Sequence, residues 1–250
     1  MLVRVDDDGA LAIGQLSHAW LSGQLARAWG NDRFGDVEPR EELALGAEQH
    51  DIGWALFDLQ PRFSRETGLP RSFLELTVEE HLAIWRGAPD RLRSQSLHAA
   101  LVVSLHGRSL SELRLKAAPE QATALQAHIE EERACQRGLR AVLGMSAAQV
   151  ERTRRLMWTW DGLSLALCNA WRPFIARDVP AAGGLIDVEL RDCADGTHTL
   201  DPWPFQTERV DARCEARRLG PHYSDEAALR RAFEQAEPVT LTFTLMAAAS

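Results

Sequence analysis

Cysteine, tyrosine, net positive charge and long apolar runs are all scarce in this chain, and each scarcity closes off a class of protein. The 250 residues include four cysteines, Cys135, Cys168, Cys193 and Cys214. None belongs to a CxxC pair and their spacing suits no zinc knuckle, so they read as reduced thiols of a cytoplasmic protein. No apolar stretch approaches the ~20 residues that span a bilayer. The opening MLVRVDDDGALAIG has no basic region followed by an apolar run, and so does not read as a secretory signal. The 28 Lys and Arg are outweighed by 36 Asp and Glu, giving a net charge of −8. Such a surface repels phosphate backbones, which argues against a nucleic-acid polymer as partner. A small anionic substrate is still admitted, because a metal ion or local arginines can reverse the field inside a pocket. There is one tyrosine against eight tryptophans, and that many large rings need a core or a pocket to bury them.

What is present is an ordinary globular mixture, 45% hydrophobic and 26% charged, enough for one large domain or a domain with an appendage. Asp8-Gly9 between short apolar stretches predicts a β-hairpin over residues 1–13. Leu16, Trp20, Leu21, Leu25 and Trp29 recur at helical spacing and predict a helix over 15–29. A second helix is expected over 39–57, with His50-Asp51 near its end. Residues 58–76, with Pro61, Gly68 and Pro70, read as a long loop, and long loops in compact domains tend to be functional. Thr77 and Glu80 form a capping box ahead of a helix that carries His81, Ile84 and Trp85. Helices follow over 92–108, over 118–143 as a solvated Glu/Arg-rich element, and from Ser146 to about 172. Beyond Gly183-Gly184 the pattern turns to apolar runs near 185–190, 208–214 and 238–246, which read as strands, interrupted by a helix over 224–236.

The fold class expected is therefore mainly α: a helical bundle over 1–178 with a smaller C-terminal antiparallel β appendage over 179–250, α+β overall, which the N-terminal hairpin is free to join. Within the bundle, His18, His50-Asp51, His81, His106 and Asp161 fall on successive helices among apolar periodic positions. Helical proteins build metal sites by pointing such side chains into one core. Imidazole offers a lone pair and an adjacent carboxylate adds charge, a mixture suited to one or two divalent Fe or Mn ions, with Zn, Ni or Co as further options, rather than Ca.

The order His … His-Asp … Asp, in His18, His50, Asp51 and Asp161, resembles that of the HD-domain metal-dependent phosphohydrolase superfamily, and the chain reads as HD-domain-like on that account. With His81 and His106 inserted, the order resembles the dinuclear-metal branch, which holds the HD-GYP phosphodiesterases and the mixed-valent di-iron oxygenases of the myo-inositol oxygenase type. Separately, QLSHAWLSGQLARAWGN, EQHDIGW, HLAIW and LVVSLHG together look like an HD-like bacterial family of unknown function, over most of the chain. The resemblance implies His18, His50, Asp51, His81, His106 and Asp161 as metal ligands, Asp51 as a bridging carboxylate, and His50 and Asp51 as catalytic. It implies hydrolysis of a small phosphoester or nucleotide by metal-activated water. Where many members carry lysine after the pair, as in HDIGK, this chain has Trp54; the Gly-Tyr-Pro signature is absent.

Two other readings stay open: a di-iron oxygenase using the same six ligands, and a non-catalytic metal-binding sensor. The partner expected is a small, anionic molecule, with no membrane and with a homodimer left open. Trp54, Trp85, Trp20, His98 and Arg108 are the candidates for the substrate pocket. His98 lies two turns before His106, roughly 80° around the axis, and competes with it. Trp160 adjoins Asp161 and Arg91 and Arg93 could attract an anion, while His128, His198 and His222 sit in polar surroundings and read as surface residues.

Overall fold

The computed structural model describes residues 1–248. The elements in chain order are β1 (Leu2–Asp6), β2 (Gly9–Ile13), α1 (Gln15–Ala28), α2 (Arg40–Glu48), α3 (Ala55–Leu59), α4 (Val78–Trp85), α5 (Leu97–Ala117), α6 (Ala122–Leu143), α7 (Ala147–Asn169), β3 (Phe174–Ala181), β4 (Gly184–Asp192), β5 (His198–Asp201), β6 (Arg209–Leu219), α8 (Glu226–Gln235) and β7 (Pro238–Met246). No helix among the described residues is long and apolar enough to cross a membrane.

A mainly helical bundle with a small β appendage is not what these elements build. The chain is about 50% helical and 22% strand, and a seven-stranded curled sheet spans it. The strand order is β1-β2-β6-β7-β5-β4-β3. Every pairing is antiparallel except β5 with β7, so the sheet is mixed. The N-terminal hairpin forms one edge by laying β2 along β6, Ala10 opposite Leu219 and Ile13 opposite Ala216. β6 alternates exposed and buried over Arg209–Ala216, the period of a sheet with one covered face. Val210, Ala212 and Cys214 turn inward to meet Leu21 and Leu25 of α1 and Leu156, Trp160 and Leu163 of α7. A second apolar cluster joins Trp54, Ile84, Trp85, Leu101, Leu105 and Leu139 between α4, α5 and α6. The cysteines are free thiols.

Two local differences matter for the site. The second helix stops at Glu48 rather than running to 57, and His50 and Asp51 occupy the turn that follows. Gly53 lets the chain after this turn pass directly against α4: a Cβ there would stand 2.1 Å from the Ile84 carbonyl oxygen. The other difference is α6, which is not uniformly solvated. It buries Leu125, His128, Ile129, Glu132, Gln136 and Leu139, and His128, expected at the surface, is fully enclosed.

Glu132 accepts a hydrogen bond from Ser104 Oγ, and Gln136 Nε2 donates to the Ser104 carbonyl. Burial raises the Glu132 pKa to about 7. A folded pKa above the unfolded one means that the group's stabilisation is full below the unfolded value of 4.5 and is lost as pH rises through about 7. Glu132→Gln, which keeps the shape without the charge, is expected to be more stable than the parent near pH ~8.5 by about 1–3 kcal/mol. The advantage should vanish near pH ~5. Thermal melts at the two pH values check this, and an equal shift at both would rule Glu132 out as the titrating group.

Candidate metal centre and cavity

The two apolar clusters meet around a group of buried polar side chains. His18 comes from the first turn of α1, where Leu21 and Leu25 further along the same side anchor the helix on the sheet. Asp161 comes from α7 beside Trp160, which packs edge-on against Trp29. His106 comes from α5 and His50-Asp51 from the turn after α2. The ligand atoms of His18, His50 and Asp51 lie within 4.8 Å of one another, and so do those of His50, His106 and Asp161. These are buried His/Asp groups that could hold a metal ion.

The hydrogen bonds around the imidazoles fix which nitrogen faces the cluster. His50 Nδ1 is 2.7 Å from the Ala47 carbonyl oxygen, which can only accept, so Nδ1 carries the proton. Nε2 of the neutral ring is then a lone pair. It stands 3.3 Å from Asp161 Oδ1 and 3.6 Å from Asp51 Oδ2, completing a well-formed hydrogen bond with neither. For His18 the ordering runs through two serines. Ser22 Oγ donates to Ser164 Oγ, and Ser164 Oγ donates to the Asp161 carbonyl. Ser164 therefore accepts from His18 Nδ1 at 2.9 Å, and His18 Nε2 is turned to Asp51 Oδ2 at 2.8 Å and Asp161 Oδ1 at 3.9 Å.

Two lone pairs thus face two carboxylates in a buried space, an arrangement that repels itself unless a cation sits in it. The cation can be a proton. Burial opposes charge on His50, but Asp51 and Asp161 outweigh it and raise its pKa to about 9. Burial likewise works against the two carboxylates, and the imidazoles nonetheless hold both below their ordinary range. The cation can equally be a metal. Donor atoms spaced 2.8–3.9 Å apart match neighbouring ligands about one ion with bonds of roughly 2.0–2.2 Å. The backing of each imidazole by a fixed acceptor is the usual support of metal-ligating histidines. The donor set fits.

Above the cluster lies a cavity of about 290 Å³, lined on its floor by His18, Asp51, His106 and Asp161. Its walls are Trp54, Trp85, Phe73, Leu76, Leu110 and Leu113, with further apolar side chains. Phe73, Leu74 and Leu76 belong to the 58–76 stretch, so the irregular segment forms part of the cavity wall. His81 also lines the cavity but stands apart from the ligand groups. Its Nε2 is 2.9 Å from Ser111 Oγ, which itself donates to the Gly107 carbonyl, so Nε2 donates to the serine. Burial, then Arg114, pushes the His81 pKa down to about 3, and burial followed by His50 brings His106 to about 4.

Of the pocket candidates, Trp54 and Trp85 line the cavity. Trp20, His98 and Arg108 do not. Trp20 is half-buried with Arg213 over its ring, His98 is half-buried near the start of α5, and Arg108 lies beside Glu112. Arg91 donates to the Ile52 carbonyl and Arg93 pairs with Asp90. Sequence reasoning missed Arg114, the one Lys or Arg among the lining residues. The available signal was helical phase: His106, Leu110, Leu113, Arg114 and Ala117 recur on one face of α5.

The sheet-backed fold sets a buried His/Asp cluster that could hold a metal ion beneath a largely apolar cavity. The model of a family described as "protein of unknown function (DUF3891)" matches residues 1–220, and the chain belongs to that family. The match takes in every residue of the cluster and ends before α8 and β7. Neither the curated proteins nor the solved structures gave a match.

Proposed function

We propose that the chain is a metal-dependent hydrolase of small phosphoesters that holds one divalent transition-metal ion, Fe or Mn foremost, on His18, His50, Asp51 and Asp161, with His106 beside them. The observation that carries the reading is the pair of imidazole lone pairs turned toward two carboxylates, each held there by a partner on its far side. The order of those residues along the chain, shared with the HD phosphohydrolases, supports hydrolysis. It is the ligand order and not the overall architecture that carries this likeness.

An ion bound there supplies Lewis acidity and acidifies water near neutral pH. The protein's own residues do the rest. Ala47 and Ser164 orient His50 and His18. Trp54 and Trp85 keep bulk water from the floor of the cavity. His106, which burial keeps neutral, offers a free imidazole nitrogen, since its Nδ1 is buried without a partner. His81 is committed to Ser111, which favours one ion over two.

Elemental analysis and a phosphoester panel test this together. The expected result is about one transition-metal ion per chain and turnover that a chelator abolishes and the metal restores. A chain that binds no transition metal overturns the reading. A fully loaded chain that is inert toward phosphoesters and shows a ferric or mixed-valent iron spectrum overturns it in favour of oxygenation.

A further inference from the structure

The cavity is unevenly furnished. Apart from the cluster on its floor, its polar lining groups are Gln15, His81 and Arg114, set among tryptophan, phenylalanine and leucine side chains. Arg114 sits eight residues after His106 on α5, about 12 Å further along the axis. A helical side chain slants back toward the N-terminus, which here means toward the cluster. Its Nη2 donates to the Leu76 carbonyl, which pins the guanidinium at the wall. Its Nε is buried with no hydrogen-bond partner. Glu80, the carboxylate that acts on it, is itself engaged by Arg62 and Arg71. The cavity therefore holds a cluster at one end, a cation at the other whose nearby carboxylate is shared with two further arginines, and apolar wall between them.

We infer that the ligand of this cavity is a small amphipathic anion: an apolar body, flat or chain-like, whose end away from the cluster is an anionic oxygen group received by Arg114. This rests on the hydrolase reading for the other end alone, which would be the phosphoester over the His/Asp cluster. A nucleotide is the wrong chemistry for this space. Its sugar hydroxyls and base edges would lose water against Trp54, Trp85, Leu110 and Leu113 and find few partners in return. An apolar body loses nothing there, and its burial supplies the affinity.

Calorimetric titration of the full chain with phenylbutyrate and with its neutral amide, phenylbutyramide, tests the inference without requiring turnover. The acid is expected to bind about tenfold more tightly than the amide, the effect of one charge-assisted hydrogen bond. Arg114→Gln should weaken the acid by a similar factor and leave the amide and the metal content unchanged, and Arg114→Lys should retain part of the preference. Equal binding of acid and amide to the parent chain overturns the inference, as does an Arg114→Gln chain that binds the acid as tightly as the parent. If Arg114→Gln does not fold, the acid-to-amide ratio on the parent and on Arg114→Lys decides. Repeating the titration on metal-stripped protein separates the two readings. A chain that takes no metal but prefers the acid keeps the Arg114 subsite and loses the hydrolase; a metal-loaded chain that ignores the acid does the reverse.

Discussion

Asp51→Asn is expected to fold and to retain less than about a tenth of the parent's bound transition metal, with turnover falling in step. Asp51 is 3% exposed, and its Oδ2 is the atom that both His18 Nε2 and His50 Nε2 approach. The carboxylate supplies half of the negative charge in the cluster, the other half coming from Asp161. Without it, an ion would lose the oxygen that both imidazoles approach and half of the negative charge that offsets its dehydration. Loss of a mere outer partner of a metal ligand lowers affinity by about 10–100-fold, so loss of a ligand should exceed that. Asparagine is preferable to alanine here. An amide can still donate to the His18 lone pair and fills the same volume, whereas alanine leaves a buried imidazole unmatched at a cost of about 1–3 kcal/mol. The readouts are elemental analysis and thermal melting with and without added metal. The parent should gain stability from the metal by mass action, and Asp51→Asn should gain none. A variant that keeps a full complement of metal would sink the proposed site.

The residues of that site were legible in the sequence, while the frame that holds them was only partly so. His18 and Asp161 announce themselves because each interrupts an apolar helical stripe, Leu21 and Leu25 beside one and Met157 and Leu165 beside the other, and an ionisable group in such a stripe needs a reason. His106 is legible on the same ground. Arg114 is harder to see, because the helix read over 92–108 stops short of it, and an arginine in the last turn of a helix looks like any solvated residue unless its phase with His106 is followed. The sheet escaped for a different reason. β2 pairs with β6 across some two hundred residues, and periodicity reports only which face of a strand is buried, never what lies beside it. β3 was hidden behind Pro173 and Pro180, which read as helix stops, and by the irregularity near Asp178, whose φ is 55°. β5 is four residues long between turn signals, too short to show alternation. The strands near 185–190, 208–214 and 238–246 stood out because they are long enough to repeat, as β4, β6 and β7 do.

Gly53→Ala is expected to damage fold and metal site together, a result that no inventory of ligands would suggest. A Cβ at this position would lie 2.1 Å from the Ile84 carbonyl oxygen, 2.9 Å from its carbonyl carbon and 3.0 Å from its Cγ2. Two of those atoms are backbone in the last turn of α4, so the clash cannot be relieved by swinging a side-chain tip. Either the turn after α2 or α4 itself must shift by roughly 1 Å, and close-packed interiors resist this. The turn carries Asp51 two residues earlier and Trp54 one residue later; α4 carries His81 and Trp85. Both walls of the cavity would move, and with them the spacing between Asp51 and its imidazole partners. The expected cost is about 3 kcal/mol, seen as a melting temperature lower by roughly 6–12 °C, with metal content reduced alongside. Gly138→Ala supplies the opposite sign. Gly138 lies on the exposed side of α6 and a Cβ there meets nothing within 4 Å. Its replacement should stabilise the helix by about 0.5–1 kcal/mol and leave metal binding untouched. Were Gly53→Ala to melt with the parent and hold its metal, the contact between the His50-Asp51 turn and α4 would not be what sets the site.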